Sequence, residues 1–525
     1  FLSTITIAQN LNKEFTLSIG ENFRLYPGNV SQTEVFIVTH PSNPDIIFAS
    51  ANTIIFNPFF VSEGIYVTTN GGNNWYGSDT CKGEPINLHG GDPGITINKD
   101  GVFLVTRLGF SSGLYSHYST DFGVNWSNQK TISNDDLERA TMTSDVHAAS
   151  TYFGRSYSAW IKFAPPFPLQ FSFTDDGGLN WSAPAQINNP IQRSAGGDIT
   201  MGPDGKVYIC WAGVTTSSPY TEDFVGVASS INGGSTWQVT ENAFDMNGIS
   251  GLLTQKGNIR VNGLPNIAVD TTGGPRHGWV YIITTQKNLA PAGSDPDVIL
   301  NRSTDNGQTW SAGIRVNQDA LNNGAIQYLP AVHVDKYGGL NVIFYDDRNT
   351  TSDSSGVFLA RSEDGGNNWR EFEISDRNFK PLPIGGLGQG YQGDNISITF
   401  SNDMFWPVWM DNRTGIYQIW SVPIEISLVN VEKNSNVHLE FRLEQNYPNP
   451  FNPSTTIRYA IENETMVQLK VYDVLGNIIT TLVNEVKPAG TYEVDFVADK
   501  LPGGIYFYNL LTNGFSKTKK LILLK

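Results

Sequence analysis

The sequence has little cysteine, few cationic side chains and no long apolar run. Two cysteines among 525 residues exclude a fold held by several disulfides, and their spacing fits no metal site. Cys210 lies in the apolar run Val207–Trp211, so we expect a buried free thiol there and not a bridge to Cys81. Because no stretch of about 18 apolar residues occurs, no membrane-spanning segment is expected.

Cationic residues are also too few for a nucleic-acid-binding protein. Lys and Arg together number 34 against 50 Asp and Glu, which gives a formal net charge of −16. Without a basic stripe to neutralise phosphates, nucleic acid is excluded as a partner. The seven histidines lack zinc-ligand spacing, and no phosphate-binding glycine loop occurs. No organic cofactor is therefore expected.

Aromatic residues and glycine are abundant instead. Phe, Trp and Tyr make up 12% of the sequence, there are 52 glycines, and charged residues amount to 16%. This composition, without a long helical periodicity, predicts an all-β fold rich in turns. Because 525 residues exceed one ordinary core, we expect a closed repeat architecture.

Six copies of one turn motif mark the repeat. The pattern is Ser/Thr-x-Asp/Asn-x-Gly-x-x-Trp, and successive tryptophans lie 51, 55, 56, 73 and 59 residues apart. The acidic or amide residue and the tryptophan of the six copies are Asn70 and Trp75, Asp121 and Trp126, Asp176 and Trp181, Asn232 and Trp237, Asp305 and Trp310, and Asp364 and Trp369.

The residue types of the motif describe a self-contained turn. The hydroxyl and the Asp or Asn side chain can bond to nearby backbone N–H groups, and glycine supplies a positive φ. The tryptophan can then pack as a large apolar group against the neighbouring unit. We therefore expect these turns to be scaffold and not ligand sites.

This motif resembles the Asp box of the sialidase/BNR superfamily, and the resemblance implies a β-propeller. Two strand-like runs precede each box and recur a seventh time without one. We predict a seven-bladed propeller over residues 20–427, closed by Asn22–Tyr26, with six blades as the alternative. The innermost runs are Val35–Thr39, Gly94–Ile97, Val146–Ala149, Asp198–Met201, Asn266–Val269, Ala331–Val334 and Ile396–Phe400.

A second domain begins after the predicted propeller. Short alternating runs separated by Gly and Pro turns predict a small Ig-like β-sandwich. Its turns resemble the C-terminal sorting domain of the type IX (Por) secretion system of Gram-negative bacteria. The resemblance implies the type IX machinery as a partner and a secreted or cell-surface protein. The matching segments are Tyr447–Pro453, Val471–Gly476, Leu501–Tyr506 and Lys519–Lys525.

These patterns divide the chain into four predicted parts. Residues 1–19 are an N-terminal arm, in which Phe1–Asn10 has the small-x-small pattern of the end of a cleaved signal peptide. Residues 20–427 are the propeller, 428–442 a linker and 443–525 the sorting domain.

The predicted ligand site lies at the mouth opposite the turn motifs. In an up-and-down blade, first strands start and second strands end at the same mouth, and Arg107, Arg348 and Arg413 are placed there by blade position. Likeness to sialidases implies that three arginines bind a carboxylate, that Tyr391 is the nucleophile, and that Asp92 or Asp145 is the acid. The chain departs from sialidases in lacking the Arg-Ile-Pro motif and an evident glutamate to activate a tyrosine.

Aspartates at the starts of first strands give a second interpretation. Asp92, Asp145, Asp198 and Asp394 would lie near the axis, where carboxylates can bind Ca²⁺ or sugar hydroxyls. Three functions stay open at this point. Recognition of a glycan or glycoprotein outside the cell is favoured, an exo-sialidase or other glycoside hydrolase is the first alternative, and a surface adhesion or scaffold protein that binds another protein is the second.

Overall fold

The computed structural model describes residues 12–56, 59–80, 89–431 and 441–524. One compact unit comprises Thr16–Ser427, and the other comprises the described residues from Leu428 onward together with residues 12–15. The proposed signal-peptide remnant and Cys81 lie outside the described residues. Within the described ranges, no helix has the length and hydropathy needed to cross a bilayer.

The larger unit consists of antiparallel sheets, six of which have four strands that follow one another in the chain. A two-stranded hairpin is inserted between the fourth and fifth of them. In chain order the strands are β1 (Asn12–Ile19), β2 (Phe23–Arg24), β3 (Ser31–Thr39), β4 (Ile47–Phe56), β5 (Phe59–Thr68), β6 (Tyr76–Ser78), β7 (His89–Ile97), β8 (Phe103–Gly109), β9 (Leu114–Ser119), β10 (Lys130–Ser133), β11 (Thr141–Ser144), β12 (Ser156–Ile161), β13 (Leu169–Thr174), β14 (Ala185–Gln186), β15 (Arg193–Met201), β16 (Val207–Val214), β17 (Glu222–Ser230), β18 (Gln238–Asp245), the hairpin β19 (Gly251–Leu253) and β20 (Ile259–Val261), β21 (Asn266–Val269), β22 (Val280–Gln286), β23 (Asp297–Ser303), β24 (Ile314–Arg315), β25 (Gln327–Val334), β26 (Leu340–Asp346), β27 (Gly356–Ser362) and β28 (Arg370–Glu373).

The seventh sheet combines strands from both ends of this unit. It contains β29 (Ser397–Ser401), β30 (Met404–Asp411) and β31 (Gln418–Ser421), and β2 pairs with β31 as its outer strand. Phe23 lies opposite Ser421 and Arg24 opposite Trp420. The closing strand predicted from the sequence is therefore present. The same sheet continues through β32 (Ile424–Val431) and β1, so part of the predicted linker is strand.

The first strands of the seven sheets form a ring. β3, β7, β11, β15, β21, β25 and β29 contact one another in that order, and β29 also contacts β3. Neighbouring sheets pack through apolar clusters, such as Phe171 against Trp237 and Phe48 against Trp126. The arrangement is propeller-like, and adjacent sheets bury apolar faces against one another.

The six turn motifs adopt one hydrogen-bonding pattern. In every copy the hydroxyl oxygen accepts the N–H of the motif glycine at 2.7–3.0 Å. The hydroxyl donates to the Asp or Asn Oδ1 at 2.7–3.0 Å. That oxygen also accepts the N–H of the residue before the tryptophan at 2.9–3.0 Å. The turn is satisfied internally, as the sequence predicted.

One inner strand was misplaced by the sequence analysis. In the third sheet the first strand is β11, and the predicted strand Val146–Ala149 belongs to the turn between β11 and β12. Asp145 fixes that turn, since its Oδ1 accepts the N–H of His147 at 3.1 Å and its Oδ2 accepts the Ser150 hydroxyl. The strand prediction for 146–149 is wrong because the Asp145 carboxylate closes these residues into a turn, which their apolar composition does not reveal.

The smaller unit contains two sheets that share one core. Its strands are β33 (Arg442–Leu443), β34 (Ser454–Ile461), β35 (Thr465–Tyr472), β36 (Ile478–Lys487), β37 (Gly490–Val497), β38 (Gly504–Leu511) and β39 (Ser516–Leu523). One sheet has the order β33-β34-β37 and the other β36-β35-β38-β39. Ile457 and Phe496 from the first sheet and Leu469 and Tyr508 from the second belong to the same buried cluster.

Candidate functional site

Four first strands carry a bulge near their start, at the mouth opposite the turn motifs. The pairing register shifts between Thr33 and Phe36 and at equivalent points in β7, β15 and β25. A residue with positive φ lies at each bulge: Glu34 (55°), Asp92 (56°), Gly196 (59°) and Leu329 (49°). A side chain in this region is strained, and such strain concentrates at functional sites.

Two of these bulges bring carboxyl groups together. Asn52 Nδ2 lies 3.1 Å from Glu34 Oε2, 3.1 Å from Asp92 Oδ1 and 3.2 Å from the hydroxyl of Tyr391. Glu34 is only 3% exposed. Burial, and then the charge of Asp92, raise the pKa of Glu34 well above its usual value. Glu34 and Asp92 therefore form a close carboxyl pair in which the protonated form of Glu34 is favoured.

Tyr391 lies against this pair. Its hydroxyl is 3.0 Å from Thr33 Oγ1. Burial first, and then the charges of Glu34 and Asp92, raise the pKa of Tyr391 well above its usual value. The phenol is therefore protonated at rest, and its conversion to a nucleophile would need a group that removes the proton.

An arginine from the inserted hairpin covers the tyrosine. The guanidinium of Arg260 lies 5.4 Å from the ring centre of Tyr391 and forms an ion pair with Asp394. The main-chain N–H of Arg260 donates to the carbonyl of Gly390 at 2.7 Å. These contacts hold the hairpin β19–β20, which we call the mouth hairpin (Gly251–Val261), over the start of the seventh sheet.

The far end of the mouth hairpin is fixed by a buried lysine. Lys256 has no exposed surface, and its Nζ lies 2.6 Å from Asp347 Oδ2. The same ammonium group donates to the carbonyls of Ser352 at 2.8 Å and Ser354 at 2.7 Å. With all three protons used, the hairpin is held rigidly and forms a fixed wall of the mouth.

A pocket of about 950 Å³ opens between the mouth hairpin and the third and fourth sheets. Phe163 (39% exposed) and Tyr220 (47% exposed) present aromatic surface to it, and Arg193 and Arg260 contribute guanidinium groups. Sites of this size with aromatic walls and a few convergent polar groups bind small molecules.

Two glutamates also line this pocket. Burial raises the pKa of Glu222 to about 7, although the main-chain N–H of Gly263 donates to its Oε2 at 2.8 Å. Burial likewise raises the pKa of Glu138, partly offset by the charges of Arg139 and Arg193. A carboxyl group that titrates near neutral pH can hold or release a proton under ordinary conditions.

The three arginines selected from the sequence do not form a site. Arg107 is buried in the second sheet, where its Nε donates to His117 Nε2 at 3.2 Å and its Nη2 to Gln129 at 2.7 Å. Arg348 forms ion pairs with Asp346 and Glu371. Arg413 forms ion pairs with Asp411 and Asp376. The prediction of a three-arginine carboxylate site is wrong, because each guanidinium is bound by the polar groups of its own sheet and loop.

The predicted cluster of four aspartates forms only in part, because Asp198 and Asp394 line one pocket beside the first strands, together with Asn266 and Ile396. Asp145 lies at the turn-motif end of its sheet. Asp198 accepts bonds from Asn266 Nδ2 at 2.6 Å and from the N–H of Ile267 at 3.0 Å, and burial raises its pKa to about 6. Asp394 is paired with Arg260. In the part of the chain that the structure describes, no three His, Cys, Asp or Glu residues are grouped to hold a metal ion, and calcium binding stays a prediction.

Of the predicted site residues, the structure therefore brings together Asp92, Tyr391 and Asp394, the last through its ion pair with Arg260. The residues that sequence reasoning missed are Glu34, Asn52, Glu138, Arg193, Glu222 and Arg260. Two signals were available for them. The longest tryptophan spacing, from Trp237 to Trp310, contains the mouth hairpin, and Arg193 lies five residues before the predicted inner run Asp198–Met201.

Comparison with known proteins identifies the C-terminal domain. Residues 445–524 match the family described as a secretion system C-terminal sorting domain. This domain indicates type IX secretion to the cell surface or the extracellular space. No curated protein matches the sequence.

Solved structures of low similarity also match this chain. An ulvan lyase of a polysaccharide lyase family is 12% identical, with 76% of this chain and 94% of that chain covered and a TM-score of 0.48. An α-L-arabinanase of Penicillium chrysogenum is 12% identical, with 66% of this chain and 98% of that chain covered and a TM-score of 0.42. An α-L-arabinofuranosidase of Fusarium graminearum is 13% identical, with 65% of this chain and 93% of that chain covered and a TM-score of 0.39. Because these TM-scores are below 0.5, what these proteins bind or cleave says nothing about this chain.

Proposed function

We propose that the larger unit is a seven-bladed β-propeller of the BNR/Asp-box type, followed by an Ig-like sorting domain. The ring of seven first strands, the closing strand β2 and the common hydrogen-bonding pattern of the six turns support this proposal. In such a fold the turn motifs hold the blades, and ligands bind at the other mouth.

We further propose that the exported protein recognises an extracellular glycan in the mouth pocket. The observation that carries this proposal is the 950 Å³ pocket with exposed rings at Phe163 and Tyr220 and polar groups at Glu138, Arg193 and Arg260. The apolar faces of sugar rings pack on aromatic rings, and their hydroxyls bond to carboxylate and guanidinium groups. A protein partner would more commonly need a broad surface than a pocket of this size.

A glycan array with the full chain tests this function. We expect retention of a limited set of glycans that Phe163→Ala weakens. The matched control is Phe153→Ala, because Phe153 is similarly exposed (42%) but lies in the turn between β11 and β12, at the other mouth. If no glycan is retained, or if both variants weaken retention equally, the proposal is wrong.

Glycoside hydrolysis is the second candidate. The observation that favours it is the Glu34–Asp92 pair beside Tyr391, since two neighbouring carboxyl groups are the usual parts of a glycosidase and burial raises the pKa of Glu34. Release of sugar from the array by the full chain, abolished in Asp92→Asn with retention preserved, would establish an enzyme. Retention without release would leave the protein a binding module.

A further inference from the structure

Arg193 occupies a rigid position in the wall of the mouth pocket. It is the first residue of β15 and lies opposite Val214 in β16, and both residues line the pocket. Its guanidinium carbon is 5.4 Å from the ring centre of Phe163 and 5.1 Å from that of Phe167. Stacking on two rings restricts the orientation of the guanidinium plane.

The hydrogen-bond donors of Arg193 are not used within the protein. Among the residues that the structure describes, its side chain has neither a hydrogen-bond acceptor nor an ion-pair partner, and its Nε is buried. A buried donor without a partner costs free energy that a ligand acceptor would recover. The side chain is therefore held in place for a group that is not part of this chain.

Arg155 shows what the same stacking looks like when the donors are used. Its guanidinium lies 4.8 Å from the ring centre of Tyr152 and 3.7 Å from that of Phe173. Its Nε and Nη2 donate to Asp175 at 2.7 and 2.8 Å, and its Nη1 donates to the carbonyl of Gly233 at 2.8 Å. Arg155 is thus a complete structural contact, whereas Arg193 has the same platform without the acceptors.

The nearest carboxyl groups do not accept hydrogen bonds from Arg193. Glu138 feels the charge of Arg193, but its Oε2 accepts the main-chain N–H of Gly196 at 3.4 Å, and no bond to Arg193 forms. Glu222 is directed to the N–H of Gly263. Arg260 is already neutralised by Asp394. Arg193 is consequently the free cation of the described pocket wall.

We infer that Arg193 binds an anionic substituent, a carboxylate or a sulfate ester, on the glycan held in the mouth pocket. The inference rests on the proposed glycan recognition and names its ligand class. The guanidinium fork matches two oxygens of either anion, which a neutral sugar hydroxyl cannot reproduce. The aromatic platform keeps the fork aimed before the ligand arrives, so little side-chain entropy is lost on binding.

Calorimetric titration of the full chain with paired oligosaccharides tests the inference. One pair is an oligogalacturonate and its methyl ester, and the other is a sulfated galactan oligosaccharide and its desulfated form. In each pair only the anionic group differs. We expect the charged member of one pair to bind more tightly than its neutral form, and the pair that shows this identifies the anion as carboxylate or sulfate.

The variants separate the role of the guanidinium from that of packing. Arg193→Met keeps much of the apolar contact with the rings and should lower the affinity for the charged ligand by about ten- to a hundredfold. Arg193→Lys keeps the charge and loses the fork, so an intermediate loss is expected, and it serves if the first variant does not fold. Arg155→Met, the control at the other mouth, should bind as the wild type does.

Two results would overturn the inference in distinguishable ways. If neutral and charged members bind equally and Arg193→Met has no effect, the glycan function stands and the anion inference is wrong. If neither pair nor any array glycan binds, the proposed function fails with it.

Discussion

Trp406 of the seventh sheet meets Trp75 of the first turn motif edge to face, with ring centres 6.2 Å apart and planes at 67°. Phe23 of the closing strand lies on another side of Trp406, at 6.5 Å. The ring of sheets is therefore closed twice at this junction, by the backbone pairing of β2 with β31 and by an aromatic cluster. The close approach of Trp406 at this junction also explains why the first turn motif has glycine at position 72.

Gly72→Ala should destabilise the ring much more than Gly71→Ala. Both glycines have positive φ, 86° and 66°, so alanine is strained at either position. A Cβ on Gly72 would lie 2.0 Å from the Trp406 ring, whereas the nearest atom to a Cβ on Gly71 is 3.3 Å away. We expect an additional loss of roughly 1–3 kcal/mol for Gly72→Ala.

Urea unfolding followed by tryptophan fluorescence measures this difference. All twelve tryptophans lie between Trp75 and Trp420, so the signal reports the larger unit alone. Equal losses in the two variants would show that the backbone conformation, and not contact with Trp406, requires the glycine.

Lys256→Met should loosen the mouth hairpin. The substitution leaves Asp347 and two carbonyls buried without their cation, and such a loss costs about 3–5 kcal/mol. Because the hairpin forms one wall of the pocket, glycan retention should fall as well. Lys336→Met is the control, since Lys336 is 54% exposed and its pair with Asp403 contributes little. Unchanged stability and retention in Lys256→Met would contradict a structural role for the hairpin anchor.

The buried His117 should make the larger unit less stable as the pH falls below its ordinary pKa. Burial lowers the pKa of His117 to about 4, and its Nε2 accepts the Arg107 Nε–H, which requires a neutral ring. The unfolded chain takes up a proton near pH 6.5 and the folded protein only near 4. The contribution of the neutral His117 to stability is thus complete above pH 6.5. It is lost between pH 6.5 and pH 4, by roughly 1.4 kcal/mol per pH unit at most.

His117→Gln should reduce the dependence of stability on pH. Urea unfolding at pH 7 and pH 5 compares this variant with the wild type. His277→Gln is the control, because His277 lies at an exposed turn. A wild-type slope no steeper than that of His117→Gln would show that His117 does not resist protonation.

Glu34→Gln tests the protonation of the carboxyl pair. The pKa of Glu34 is raised in the folded protein, so its contribution is complete below the unfolded value and is lost as the pH rises through the folded value. Gln mimics the protonated acid and does not ionise. We therefore expect the stability of Glu34→Gln to exceed that of the wild type increasingly as the pH rises. A constant difference across pH 5–9 would mean that Glu34 is already ionised.

The turn motif and the sorting domain could be read from the sequence because their information is local. The hydroxyl, carboxylate, glycine and tryptophan of each turn lie within eight residues, and their hydrogen bonds close inside that span. The closing strand was also foreseen, since a ring of repeats needs a partner for its last outer edge. The order of the two predicted domains was inferred from the change of sequence pattern after residue 427.

The mouth site could not be read in the same way. Asp92 and Tyr391 were selected by position, but Asn52, which joins them to Glu34, is 339 residues from Tyr391 and carries no motif. Which arginine faces the pocket depends on which carboxylates fold beside it. Arg348 and Arg413 look like ligand-binding residues in the sequence and are neutralised by neighbours, while Arg193 looks ordinary and is left with free donors.

The sequence by itself determined the all-β repeat, its turns and the export domain, because hydrogen bonds and hydrophobic periodicity act over a few residues. Only the tertiary structure decided the site, because the bulges, the mouth hairpin and the pairing of each charge depend on side chains from different sheets meeting at one mouth. Charge pairing between distant segments leaves no periodic trace in the chain, and it is this pairing that separates Arg193 from the other arginines.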